Sequence, residues 1–247
     1  MKAPRLALAA LLAVVLLGGR GDAQAPIVAD LSSHLVAVTT GFTGAELLLF
    51  GAVMEEGDIA LVVRGPNERV TVRRKARVVG VWVNGESEVF ESVPAFYGLA
   101  ATDGFKEAAP PNLLKRLQFG IENLRIAPTE RDPAAAAPFR VALVNAKRNQ
   151  ALFPAEIEPV SVLGDRLFRT IVRFPSTVPT GTYLVEVFFV RDGEVISAQT
   201  TPLSVSRLGL GAEIYDFARD HAAIYGVVAV LIAVAAGWLA GFVFRKG

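Results

Sequence analysis

Between residues 27 and 102 the apolar positions come in short runs broken by turn-forming residues: Leu35 to Thr40, Ala45 to Ala52, Asp58 to Arg64, Arg69 to Lys75, Arg77 to Val83 and Glu88 to Val93. Runs of this length and spacing predict an antiparallel β-sandwich. Inside them, Val70 and Val72 fall on one face of a strand, and Arg73, Lys75 and Arg77 on the other. Asn84-Gly85, set in Val81-Trp82-Val83-Asn84-Gly85-Glu86, predicts a type I′ hairpin turn, because both residues tolerate left-handed backbone angles.

The period changes in the middle of the chain. Leu113, Leu117, Ile121 and Leu124 recur at three- and four-residue steps after Pro110-Pro111-Asn112, which predicts a helix stopped near Pro128. A second helix is expected to carry Pro138 in its first turn, Phe139, Ala142, Leu143 and Ala146 on one face, and Lys147 and Arg148 at its C-terminal end. Thr129 to Ala137 reads as a connector. Strand signals return at Arg166 to Phe174, Thr182 to Val190 and Glu194 to Val205, with Asp192-Gly193 as a hairpin turn. From Tyr183 to Val190 both alternating faces are largely apolar, as in a strand buried between layers.

Two segments break this pattern. The first has Lys2 and Arg5, an apolar run from Leu6 to Leu17, then Ala23-Gln24-Ala25, the order of an export signal with its cleavage motif. The second, Ala222 to Phe244, is uncharged and followed by Arg245-Lys246, as at the cytoplasmic end of a membrane span. The expected organisation is a signal peptide at 1–25, a first β-rich lobe at 26–102, a helical connector at 103–150, a second β-rich lobe at 151–206, a juxtamembrane helix at 207–221, a transmembrane helix at 222–244 and a cytoplasmic tail at 245–247. In the juxtamembrane stretch Ile214, Phe217 and His221 share one helical face. The fold class is mainly β, α+β overall: two sandwich-like lobes joined by helices, plus one terminal span.

Composition then narrows function. The hydrophobic share of 52% and mean hydropathy of +0.43 owe much of their excess to the two apolar segments. With the leader's Lys2, Arg5, Arg20 and Asp22 set aside, and Arg245 and Lys246 beyond the span, the 25 basic and 24 acidic residues fall to 20 and 23. That balance gives no basic face for displacing phosphate counterions, so no nucleic-acid partner is expected. Absence of cysteine removes disulfides, thiolate metal sites and cysteine nucleophiles. Only two histidines occur, His34 and His221, in no metal-binding spacing, and no nucleophile elbow, phosphate loop or dinucleotide fingerprint is present. No cofactor and no catalytic activity are expected.

Two patterns stand out as binding candidates. Arg73, Arg74, Lys75 and Arg77 form the densest positive cluster, suited to lipid phosphates or an acidic partner, although charges on a strand also serve to discourage edge-to-edge association. Within the span, Ala229, Ala233, Gly237 and Gly241 repeat every four residues, so that a second helix, from the same chain or an inner-membrane partner, could approach closely along that stripe. Phe96 and Tyr97 are candidates for lining a pocket, or for the core.

The blocks Gly41-Phe42-Thr43-Gly44, Leu47 to Ala52, Gly65-Pro66, Val72 to Lys75, Val81 to Asn84 and Pro94 to Tyr97 resemble the putative transmembrane protein family of Alphaproteobacteria. Later blocks are similar too: Leu167-Phe168-Arg169, Phe174-Pro175, Val178 to Tyr183, Arg191-Asp192-Gly193, Tyr225-Gly226 and Gly237-Trp238. The resemblance covers nearly the whole chain after the leader and implies an exported region with a terminal anchor, with no catalytic residues to carry over. The expectation is a single-pass inner-membrane protein, its N-terminal region periplasmic, acting as a non-catalytic interaction module or accessory subunit of a transporter or envelope complex. A small-ligand or glycan-binding lobe and an enzyme of unrecognised type are the alternatives.

Overall fold

The computed structural model describes residues 27–129, 131–164, 166–208 and 218–244. The expected signal peptide, the cytoplasmic tail, and Ile214 and Phe217 of the juxtamembrane helix lie outside them.

The chain is mainly β, with thirteen strands among the described residues. They are β1 Ile27–Leu31, β2 Leu35–Val38, β3 Gly44–Val53, β4 Asp58–Arg64, β5 Asn67–Val78, β6 Val81–Pro94, β7 Tyr97–Ala101, β8 Ala127–Pro128, β9 Glu158–Pro159, β10 Ser161–Leu163, β11 Leu167–Pro175, β12 Gly181–Arg191 and β13 Glu194–Arg207. Helices α1 Phe105–Ala108, α2 Pro111–Leu117 and α3 Pro133–Asn149 fall in the middle of the chain, and α4 Ala222–Phe244 closes it.

The strands form three sheets. Sheet A has the order β1-β3-β11-β10, sheet B the order β2-β13-β12-β4-β7-β9, and sheet C is the long hairpin β5-β6 with β8. The two strand-rich stretches of the sequence do not keep to themselves. Strand β3 pairs β11 antiparallel from Gly44 to Ala52, and β4 pairs β12 antiparallel from Asp58 to Arg64. Each sheet of the sandwich is therefore built from both halves of the chain.

Side-chain pattern explains this mixing. Strands β4 and β12 are apolar on both faces, so each needs a cover on both sides and takes a central place in sheet B. Ile59, Leu61, Val63, Tyr183, Val185, Val187 and Phe189 point into the sandwich, where they meet Leu47, Leu49, Phe168, Val172 and Phe174 of sheet A. Ala60, Val62 and Val190 point the other way, into a second core completed by Phe105, Leu113, Leu117, Phe139 and Leu143. The helical connector is thus a third layer on sheet B. Burying each large apolar side chain contributes about 1.5–3 kcal/mol, so β4 cannot leave either face wet.

Several local expectations need correction. The hairpin turn is not at Asn84-Gly85 but at Val79-Gly80, both at positive φ (49° and 84°), between the paired Val78 and Val81. Asn84 pairs Lys75, and Gly85 and Glu86 together oppose the single Arg74 in a β-bulge. Turning at residues 79–80 lets β5 and β6 pair along nearly their full lengths, whereas a turn at residues 84–85 would leave most of β5 without that partner. The runs Arg69 to Lys75 and Arg77 to Val83 accordingly become parts of one hairpin.

Helix α2 ends at Leu117, far short of Pro128, with Gln118 left-handed at φ 51°. Sheet B captures its terminal carbonyls: Arg64 Nη2 donates to Leu117 O at 2.7 Å and Tyr97 Oη donates to Gln118 O. Helix α3 starts five residues earlier than Pro138. Asp132 accepts a hydrogen bond from the Ala134 N–H, Pro133 takes the first position, and the alanine tract read as a connector is helical, as alanine's propensity favours. Its buried face is Ala136, Phe139, Leu143, Val144 and Lys147, while Ala142 and Ala146 are exposed. Lys147 is drawn inward by Glu68 and by the Ala95 carbonyl.

Helix α4 has 23 residues, about 34 Å at 1.5 Å per residue, enough to cross a hydrocarbon core of about 30 Å. Its segment Ala222–Gly241 has mean hydropathy 2.3, and none of it is buried against the rest of the chain.

Candidate functional site

The most unusual surface is the outer face of sheet A. Strand β3 carries the unbroken apolar run Leu47-Leu48-Leu49-Phe50, so inward Leu47 and Leu49 alternate with outward Leu48 and Phe50. The register aligns Val28, Ala52, Leu167 and Leu163 in one row across all four strands, and sets Leu48 beside Ile171 two positions beyond Phe50. Val28 is 58% exposed, Leu167 59% and Phe50 45%. Phe50 itself stands between Asp30 and Arg169, so charge interrupts the apolar rows; clustered exposed apolar residues mark interaction sites, whereas isolated ones mean little. Arg173 closes one end of the patch, paired with Glu46 at 3.1 Å and Glu158 at 2.6 Å.

A second feature is the hairpin β5-β6. Its root packs on the helical layer through Val70, Val72, Phe90 and Val93. Beyond Arg73 it projects, and Val79 at the turn is 98% exposed. The four clustered cations do not converge on one point. Arg74 lies on the inward side of β5, 5.4 Å over the Phe139 ring and 3.9 Å from Glu86. Arg73, Lys75 and Arg77 are on the outward side, where Lys75 donates to Asn84 Oδ1 at 2.8 Å and Arg77 Nε to the Gly80 carbonyl at 3.3 Å. Phe139 is flanked by a second guanidinium, Arg131 at 5.5 Å, which also pairs with the buried Glu88.

Phe96 and Tyr97 are core residues that also border a cavity. Beside β7 a space of about 370 Å³ is lined by Gly98, Phe153, Arg148, Glu156, Glu158 and Arg173 among others. A wider, mostly apolar trough of about 860 Å³ runs between α3 and residues 121–128. There Arg140 donates to the carbonyls of Ile121 and Leu124. Neither was visible in the sequence, because each is assembled from stretches that only the fold brings together rather than from a motif.

The titratable groups are mostly spent on structure. Arg64 bonds Glu186 and the end of α2, and burial lowers its pKa. Burial raises the Tyr97 phenol well above its usual range, although Arg64 opposes the shift. Tyr183 is raised mainly by burial too, and its hydroxyl donates to Pro179 O at 2.6 Å, four residues upstream, in the manner of a sandwich's tyrosine corner. Both phenols therefore hold their protons in the folded state past the point, about pH 10, where an unfolded tyrosine loses them. Their stabilisation is complete below about pH 10 and lost as pH rises beyond it. Urea midpoints measured at about pH 8 and about pH 11 should fall less for the Tyr97→Phe/Tyr183→Phe chain than for the wild type. An equal fall would remove this account.

His34, in the turn between β1 and β2, pairs with Asp30 of β1 at 3.0 Å, both about half exposed. His221 lies just before α4 and its carbonyl accepts from the Tyr225 N–H at 2.9 Å. Among the described residues no three His, Asp or Glu side chains are grouped to hold a metal ion. Ala229, Ala233, Gly237 and Gly241 all lie on α4, and a Cβ placed at Gly237 or Gly241 would meet nothing within 4 Å.

A family model described as Putative transmembrane protein matches residues 26–246. Neither the curated proteins nor the solved structures contain a match to the chain.

Proposed function

The chain belongs to this transmembrane protein family, and on that premise we propose that it is a single-pass inner-membrane protein whose exported domain is a non-catalytic interaction module, serving as an accessory subunit of a transporter or envelope complex. The domain stands on the periplasmic side and residues 245–247 in the cytoplasm, a direction supported by Arg245-Lys246 directly after the span. What carries the reading is the outer face of sheet A. Val28, Leu48, Phe50, Leu163, Leu167 and Ile171 are exposed there among Asp30, Glu46, Arg169 and Arg173, and nothing in the described structure covers them.

The test uses the tagged full chain, extracted from native membranes in mild detergent. A defined partner should be retained by the wild type and lost from a Phe50→Glu/Leu167→Glu chain that melts at the wild-type temperature. Recovery of the chain alone from wild-type membranes, or an unchanged partner on the double variant, would defeat the proposal. A second reading, a small-ligand or glycan site, is favoured by the cavity beside β7, whose volume is near the lower end of ligand sites, about 300–1,000 Å³. Within it Arg173 is already engaged by Glu46 and Glu158, which leaves fewer free polar groups for a ligand.

A further inference from the structure

The projecting end of the β5-β6 hairpin has a chemistry that the interaction-module reading does not use. Strand pairing puts Arg77 opposite Trp82 and Lys75 opposite Asn84, so these four share one face. Trp82 is 66% exposed and Val81 64%, and Val79 crowns the turn between them and β5. Residues 73–87 hold four cations, Arg73, Arg74, Lys75 and Arg77, against the single anion Glu86. The run Val78-Val79-Gly80-Val81-Trp82-Val83 is uncharged, β-prone and free of proline, a hazard for a strand pair that faces only water. An indole beside valines, ringed by lysine and arginine, is instead the composition that settles at a membrane interface, with the ring at headgroup level and the cations on phosphates.

We propose that the tip of this hairpin docks on the surface of the same membrane that α4 spans, with Val79, Val81 and Trp82 in the interfacial layer and Arg73, Lys75 and Arg77 on the phosphates of negatively charged lipids. Tethering holds the hairpin near that membrane. Arg64 pairs Leu184 and Gly181 pairs Val205, so the hairpin's root at Asn67 and Pro94 sits at the end of sheet B where β13 leaves for the span. Residues 208–217 allow a reach of at most about 35 Å, the turn of helix at 218–221 adds about 6 Å, and the twelve residues of β5 make an arm of about 40 Å. The arm is about as long as the tether, which lets the tip reach the membrane surface. Contact would add a second attachment to the single span and fix the angle at which the outer face of sheet A is presented. The proposal rests on the single-span reading but not on the existence of a protein partner.

Only Trp82 and Trp238 are present in the chain, so Trp238→Phe leaves Trp82 as the sole indole reporter. The full chain is reconstituted in vesicles of phosphatidylcholine, with or without phosphatidylglycerol, containing acyl-brominated lipid. With phosphatidylglycerol, Trp82 emission should be blue-shifted and quenched by the brominated lipid. Both effects should weaken at high salt and be lost in an Arg73→Glu/Lys75→Glu/Arg77→Glu chain that keeps its β circular dichroism. Water-like, unquenched emission in both vesicles overturns the proposal. A blue shift that lipid bromine does not quench, and that grows with protein-to-lipid ratio, also overturns it, because a second copy then covers the tip. Since the vesicles contain no other protein, failure of the partner experiment has no bearing on this result.

Discussion

Phe174→Ala is expected to cost about 3–5 kcal/mol and to shift the unfolding of the whole exported domain as one transition. Phe174 is 2% exposed and forms a ring cluster with Phe96 at 5.1 Å and Tyr183 at 5.7 Å between centroids, the latter edge-on. The three rings come from β11, from the segment between β6 and β7, and from β12, so the cluster ties the two halves of the sequence together. Its neighbours cannot collapse into the space left behind. Tyr183 is held by its bond to Pro179 O, and Phe96 by the bond from Gly65 N–H to its carbonyl at 2.8 Å. The loss therefore combines a transfer contribution with that of a persistent cavity. Denaturant unfolding of the full chain in detergent, followed by far-ultraviolet circular dichroism, measures it. Two separate transitions, with only the later strands destabilised, would show that the halves fold as independent lobes and contradict the shared sheets.

Replacing Gly51 with valine should be the next most damaging change, at about 1–3 kcal/mol, and it should act on the edge of sheet A. A Cβ at Gly51 would lie 2.3 Å from the Val28 carbonyl oxygen and 2.4 Å from the Phe168 ring. The ring could move only by disturbing the sandwich, because Phe168 is 1% exposed. The backbone oxygen belongs to β1, an edge strand paired on one side only, with β3. We expect β1 to yield first, so amide exchange should quicken for Ile27–Leu31 more than for β11. Unchanged protection of β1 alongside unchanged stability would refute this view of Gly51 as the residue that makes room for Phe168.

Strand existence was largely legible along the chain because alternation and turn residues are local. Asp58–Arg64 and the Asp192-Gly193 hairpin appear where the pattern put them, Asp192 and Gly193 both at positive φ. The failures have a common cause. Asn84-Gly85 has the better local turn chemistry, yet Val79-Gly80 makes the turn because it lets two long strands pair, and the many ladder hydrogen bonds gained exceed a local preference. Helix α2 stops early because Arg64 and Tyr97, roughly 50 and 20 residues away in sequence, take its carbonyls. No window of the sequence contains both partners.

For the candidate sites the same division holds. The span, its small-residue stripe and the basic cluster on β5 are properties of composition and period, and were readable before any fold was known. That Arg74 turns inward onto Phe139, while Arg73, Lys75 and Arg77 face out beside Trp82, needed the pairing register. Apolar runs such as Leu47-Leu48-Leu49-Phe50 say only that both faces of a strand avoid water. By itself the sequence determined a β-rich region joined to one apolar helix, because hydrophobic period and length are set residue by residue. Only the tertiary structure decided that both halves share one sandwich and that the outer face of sheet A is left uncovered among the described residues, because which surfaces meet depends on pairings between residues more than 100 positions apart.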